Sequence, residues 1–368
     1  MKKIFISMIL AISLLSSLVV PAFAANENSN TVPDDVIEAI GRVVSTMAFE
    51  KENYGFADVD LSKIQIGDVI PTYTLLEDTG VQATQETFYS ILDEFDNLIA
   101  LAAVFSDEEN GTYAFVSSEL VPMLNSSIAT DGNVALVYDD RGVYCWNGTS
   151  ATLLNYNNVI EGIEGRASLS DIPTAELSIV ETNQVGATCE LGLDLDAPST
   201  IGYGDESAYV NAPVIRQPAG SNWCWAACMA SIVKLEKNLS YSCKTMANKY
   251  TTNTAEGASI TTAKSRLLND FSLAFALNST NNLTPILNTL GKGHIVYGRF
   301  TVIGAGHTMI VRGINIDGGT FSYMDPEATG ANYKTGEILN RSGSHGDLVG
   351  YNFNGNLMLW LDAYLYRY

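Results

Sequence analysis

The stretch Gln217-Pro-Ala-Gly-Ser-Asn-Trp-Cys-Trp-Ala-Ala-Cys228 carries a polar, glycine-containing loop straight into an apolar run, with Cys224 at the junction. If the run is helical, Cys224 occupies its first turn, where unpaired N–H groups and the helix dipole favour a negative sulfur. A thiolate attacks acyl carbons readily when a base or an imidazolium stands beside it. The chain has three histidines. His307 lies in Gly304-Ala-Gly-His-Thr-Met-Ile-Val-Arg312, where glycines lead into a strand-like run and suggest close approach of another group. It is the candidate base; His294 and His345 have no such setting. Asp325, in Tyr323-Met-Asp-Pro326, closes the next strand-like run and can accept the second ring N–H, fixing the tautomer of His307. The plain reading of Asp325 is a turn residue before proline, and Asn315 is its rival as the third group. Gln217 can offer its side-chain amide beside the backbone N–H of Cys224, an oxyanion hole.

The elements that must position these groups follow from periodicity. Trp225 to Leu235 is apolar on nearly every side, which marks an interior helix. Shorter helical patterns follow at 242–250, 261–268 and 283–290. Strand-like runs then take over at 294–303, 307–316, 320–324 and 357–368. Helices first and sheet second is an α+β order. The N-terminal half differs. Pro33-Asp-Asp35 reads as a helix start, followed by Val36, Ile37, Ile40, Val43, Val44 and Met47 at helical spacing. Short β-like runs come next at 69–76, 98–105 and 113–117. A hairpin is expected across 134–146, again making an α+β unit.

Gln217, the Asn222-Trp-Cys-Trp-Ala-Ala227 block, Gly306-His-Thr-Met-Ile-Val311 and Asp325-Pro326, in that order, resemble papain-like cysteine peptidases. The likeness is to secreted bacterial members such as staphopains and to catalytic domains of the bacteriocin-leader type. It covers roughly residues 213–368. It implies a papain-like catalytic domain, a buried helix plus antiparallel sheet, with Cys224 as nucleophile, His307 as general base, Asp325 as orienter and Gln217 as oxyanion donor. It implies protein or peptide substrates. Gln217 stands one position farther from the cysteine than in papain, an extra residue that Gly220 can absorb. More loosely, Ile66-Gly-Asp-Val-Ile-Pro-Thr-Tyr73 is similar to inhibitory pro-segments of such enzymes.

Composition divides the chain. Residues 26–205 hold 31 acidic and 5 basic side chains, residues 206–368 hold 10 and 13, and the whole carries −21. That balance argues against nucleic acid and anionic membrane surfaces as partners. Lys2, Lys3, an apolar run to Val20 and Ala22-Phe-Ala24 describe a secretory signal peptide cut after Ala24. The expected plan is a signal peptide (1–24) and a smaller, acidic, inhibitory pro-domain (25–190). A linker (191–205) and the catalytic domain (206–368) complete it. The expected product is secreted, with no membrane association after signal cleavage. Among five cysteines, Cys228 with Cys243 and Cys145 with Cys189 can pair, leaving Cys224 as the odd thiol. No Cys-x-x-Cys, His-Glu-x-x-His, calcium ladder or phosphate-binding glycine loop occurs, so neither metal nor cofactor is expected.

The sequence thus reads as a secreted cysteine endopeptidase made as a zymogen. The alternatives are a catalytically silent binding or adhesion protein and an acyl transferase using the same acyl-enzyme. The charge split leads to the expectation that the acidic half docks electrostatically over the cleft, and that salt or acid loosens it. Because no Lys or Arg lies between Arg166 and Arg216, activation is expected by self-cleavage or another non-basic cut near 191–210.

Overall fold

The computed structural model describes residues 32–367 apart from 77–79, 85, 132, 139–141, 147–150, 157–179, 182–188, 192–205, 303–304, 329 and 354–355. The signal-peptide reading and nearly all of the linker lie outside the described residues. The body from Val32 to Tyr368 is one compact unit.

In the C-terminal half, α3 (Cys224–Lys237) follows two helices of the N-terminal half, α1 (Asp34–Met47) and α2 (Val121–Asp131). Every side chain of α3 from Trp225 to Val233 is buried, as an all-round apolar helix requires. Three short helices, α4 (Cys243–Ala247), α5 (Ile260–Phe271) and α6 (Thr284–Gly291), complete the helical layer. Ser242 and Ser259 cap α4 and α5 by accepting from Thr245 and Thr262 N–H.

Among the described residues, eleven strands precede the C-terminal half. One sheet comprises β1 (Gln65–Ile70), β4 (Thr87–Leu92), β5 (Leu98–Asp107), β6 (Gly111–Ser117) and β11 (Cys189–Glu190). The second comprises β2 (Thr72–Leu76), β3 (Gly80–Ala83), β7 (Asn133–Tyr138), β8 (Gly142–Trp146), β9 (Ala151–Tyr156) and β10 (Val180–Glu181). The C-terminal strands are β12 (Ser207–Tyr209), β13 (Ala276–Asn278), β14 (Val296–Val302), β15 (Ala305–Asn315), β16 (Thr320–Met324), β17 (Lys334–Ser342), β18 (His345–Asn352) and β19 (Asn356–Tyr366). Strands β14 to β19 close on themselves, because β15 pairs with both β14 and β16 while β19 links β14 to β18. The result is an antiparallel barrel against which α3 lies. The mixed α and antiparallel β character expected from the sequence is present, with one exception. Strand β2 runs parallel to β7, since Pro71 breaks the run 69–76 between β1 and β2 and β2 joins the second sheet.

The N-terminal half shares apolar clusters with the barrel. Helix α1 buries Val36, Ala39, Ile40, Val43, Val44 and Met47 in one apolar cluster that is continuous with α3 and the barrel. A second cluster joins the two N-terminal sheets to Val349, Tyr351 and Phe353. Buried ions complete the contact. Arg312, 1 % exposed, donates to Glu50 at 2.6 and 3.2 Å. Glu337, 2 % exposed, accepts from Arg42 at 3.1 Å, and the Lys334 ammonium lies 2.9 Å from Glu119. One of these three pairs runs opposite to the net charges of the halves. Pairs this deep are little screened, so high salt alone is expected to weaken the association much less than the charge split suggests.

Glu50→Ala is expected to lower stability by about 3 kcal/mol, because it strands a buried guanidinium. The urea midpoint of the intact chain measures this; an unchanged midpoint would mean that the N-terminal half is only loosely tethered.

Candidate active site

Positioning begins with the loop before α3. Gly220 takes φ +70°, with open space where a Cβ would sit, and the turn closes through Ser221 N–H and its hydroxyl on Pro218 O. A second loop braces it. Asn222 N–H donates to Thr254 O, Trp223 Nε1 to Asn253 O and Trp225 Nε1 to Glu256 O. The two tryptophans flanking Cys224 are thus pinned at both ends, and Cys224 is left half-buried as the first residue of α3. Its own N–H is among the first of the helix, with no intrahelical acceptor to use.

His307 faces this sulfur from β15. His307 is 7 % exposed; Nε2 hydrogen-bonds Asp325 Oδ1 at 2.8 Å, and Cys224 lies near enough to favour the charged form of the imidazole. Since Asp325 holds Nε2, Nδ1 is the nitrogen left for the sulfur. Burial pushes the imidazolium down, yet Asp325 and Cys224 outweigh it and hold His307 well above the ordinary histidine range. Asp325 is 2 % exposed. Burial raises its carboxyl, but His307, Lys334 and the Glu327 N–H together hold it well below the usual carboxylate range. It is both turn residue and partner of His307, since Oδ1 also accepts Glu327 N–H at 2.9 Å. Arg216 donates to the backbone carbonyl of Asp325 and fixes that turn from below.

The structure therefore brings Cys224, His307 and Asp325 together. Asn315, the rival third group, sits at the far end of β15 and accepts Gly318 N–H instead. Gly306 answers to Arg299, whose guanidinium would lie 3.0 Å from an added Cβ; the close approach there comes from the neighbouring strand. Gln217 is beside the site but differently occupied. Its Nε2 donates to Ser221 O at 2.6 Å and Glu327 Oε1 at 2.8 Å, and its backbone N–H to Pro326 O at 3.0 Å. Glu327 is a neighbour the sequence reading missed; burial first, and Asp325 besides, raise its carboxyl, while His307 and Gln217 oppose them. Its position directly after Asp325-Pro326 was the available signal.

The two thiols nearest Cys224 are not bridged to each other. Cys228 and Cys243 are free, where a bond between them had been a possible pairing. Cys228 donates to Thr308 O and Cys243 to Trp223 O. Burial pushes Cys228 up strongly and Cys243 to about 12, so both stay protonated packing groups. Among the described residues no cluster of three or more metal-ligating side chains exists. A half-exposed sulfur at a helix start, a buried imidazolium and a buried carboxylate can carry out nucleophilic acyl transfer.

Residues 207–337, which contain all of these groups, match the family model described as papain-like cysteine protease AvrRpt2. The chain is a papain-like cysteine peptidase. No curated protein matches it. The match begins at β12 and ends within β17, so the N-terminal half lies outside the matched segment of this peptidase. Protein substrates follow from the protease family.

Proposed function

We propose that this peptidase is a secreted cysteine endopeptidase made as a zymogen, close in plan to the secreted bacterial papain-like enzymes, with residues 25–190 as pro-domain and 206–368 as catalytic domain. The observation that carries the reaction is the buried His307 ring, hydrogen-bonded to Asp325, with Cys224 near enough to favour its charged form. Cys224 sulfur attacks the scissile carbonyl carbon; the carbonyl electrons move to oxygen, held by the Cys224 N–H. Protonated His307 gives its Nδ1 proton to the leaving amine. It then takes a proton from water, whose oxygen attacks the thioester and frees the sulfur. Asp325 keeps the ring in the required tautomer and offsets its charge.

Gln217 is the second oxyanion donor in this reading, and its amide must exchange Glu327 for the substrate oxygen. Gln217→Ala is expected to lower kcat about 10²-fold with KM little changed. A variant that loses thermal stability but keeps kcat would reduce Gln217 to a brace for its loop.

Secretion is supported by the Lys2-Lys3, apolar run and Ala22-Phe-Ala24 pattern; no described helix is long and apolar enough to cross a membrane. The activation cut is assigned upstream of Glu206. From Ser207 on the chain is committed to the sheet, with Ser207 to Tyr209 registered on Asn315 to Gly313 and Val210 N–H on Arg312 O. Iodoacetamide or an epoxide peptide probe, followed by peptide mapping, tests the reading. The expected result is a single label on Cys224 that abolishes peptide cleavage. Label elsewhere with cleavage intact would contradict it. Product masses in the presence of an added amine distinguish hydrolysis from acyl transfer.

A further inference from the structure

A buried line of charge leads from the N-terminal half into the catalytic groups. Glu119 sits in the turn between β6 and α2, where its N–H donates to Ser117 Oγ at 3.1 Å. Its Oε2 lies 2.9 Å from Lys334 Nζ, and the two side chains are only 6 % and 9 % exposed. The same Nζ lies 3.8 Å from Asp325 Oδ2, whose other oxygen holds His307. Lys334 opens β17 and pairs with Tyr323 on the adjacent strand β16, two residues before Asp325, so the ammonium is delivered by a strand and not by a loop.

We propose that Lys334 is a positioning residue of the catalytic centre and that Glu119 of the N-terminal half sets how much of its charge Asp325 feels. A buried ammonium needs more than one partner, and here two carboxylates share it. While Glu119 holds Lys334, Asp325 keeps most of its charge for His307. Without Glu119, Lys334 acts on Asp325 alone and competes with the imidazolium. The N-terminal half thus supports the ionisation of the catalytic groups from behind Asp325. This rests on the assignment of His307 and Asp325 above and extends it to residues that no catalytic motif contains.

The charged and titratable groups around Asp325 are His307, Lys334, Glu327, Arg216 and Glu119, with Tyr323 two residues earlier on β16 and Cys228 of α3. Burial disfavours the Lys334 ammonium, and Glu119 first, then Asp325, more than restore it. Removing Glu119's charge leaves a net positive neighbour and lowers the His307 midpoint. Removing Lys334's charge leaves a net negative one and raises it. A unit charge about a nanometre away in a protein interior moves a pKa by about one unit.

The experiment follows the imidazole protons of His307 by NMR across pH in the full chain, in a Cys224→Ser background that keeps the chain uncut. With three histidines, assignment by single replacement is direct. Glu119→Gln is expected to move the His307 midpoint down by about one unit, and Lys334→Met to move it up. Lys334→Arg, which keeps the charge, is expected to return it towards the reference. Each single variant decides on its own, so loss of fold in one leaves the other, and Glu119→Ala, which admits water beside Lys334, serves if Glu119→Gln does not fold. Midpoints unmoved in folded variants, with only urea midpoints changed, would overturn the proposal and leave Lys334 a structural ion. The titration needs no turnover. A chain that cleaves nothing would therefore sink the catalytic assignment without deciding this one.

Discussion

Cys224→Ala is expected to lower kcat/KM on any cleaved peptide by on the order of 10⁴ to 10⁶-fold, with the fold intact. The sulfur is the only group at the site that can bond the acyl carbon, and the neighbouring thiols do not substitute for it. Cys228 is wholly buried on Thr308 O, and Cys243 is turned onto Trp223 O. Replacement by alanine removes one half-exposed atom from the start of α3, while the packing of Trp223 and Trp225 rests on hydrogen bonds to Asn253 and Glu256. Stability should therefore change by less than about 1 kcal/mol. In purified form the variant should also accumulate as the uncut chain. Mass spectrometry of the wild-type and variant chains measures both effects. Full processing of the pure variant would exclude self-cleavage.

Asp325→Asn is expected to cost about 10²–10⁴-fold in kcat and to move the alkaline limb of kcat/KM to lower pH. The amide can still hydrogen-bond His307, but it removes the largest favourable influence on the imidazolium. The sign follows from linkage. His307 stands above its unfolded value, so its contribution to stability is complete below about pH 6.5 and is lost as pH rises through the folded value. Asp325 stands below its unfolded value, so its contribution is present above about pH 4 and is lost only as pH falls through a much lower folded value. The wild-type pair should therefore be most stabilising from mildly acid to neutral pH. The variant should lose that advantage and leave Lys334 to Glu119 alone. A pH–rate profile with an unmoved alkaline limb would remove Asp325 from the reaction.

Much of the C-terminal half was legible because its elements obey local rules. The run Trp225 to Leu235 has no polar face, so it had to be interior, and a loop entering it had to place Cys224 first. The alternation after Gly306 gave β15, and Asp325-Pro326 gave the turn that ends β16. Helix α1 and the hairpin of β7 and β8 were equally plain. What escaped was set by long-range partners. Strand β17 ends in Asn340, Arg341 and Ser342, and Gly343 turns the chain towards β18; the run reads as loop until the barrel supplies both neighbours. Helix α2 was missed because Ser126, Ser127 and Thr130 are poor helix interiors by propensity. The occupation of Gln217 by Glu327, and the line from Glu119 to Asp325, join residues far apart in sequence. No spacing rule reaches them.

The acidic surplus of the N-terminal half was legible but suggested a different kind of contact. The surplus is spread over exposed positions such as Glu94, Asp96, Asp107 and Glu108, while the contact with the barrel is made by apolar side chains and a few buried ions. Net charge speaks to solubility and long-range steering and leaves the location of the interface open.

The rate of Cys224 alkylation by iodoacetamide at neutral pH, compared between the wild-type chain and His307→Ala, bears most directly on the pairing of this sulfur with this ring. At least a tenfold slower reaction in the variant, with both proteins folded, is the result expected if the imidazolium sustains the reactive sulfur, roughly the effect of losing one buried charged partner. Equal rates in the two proteins would show that Cys224 reacts without His307 and would contradict the mechanism.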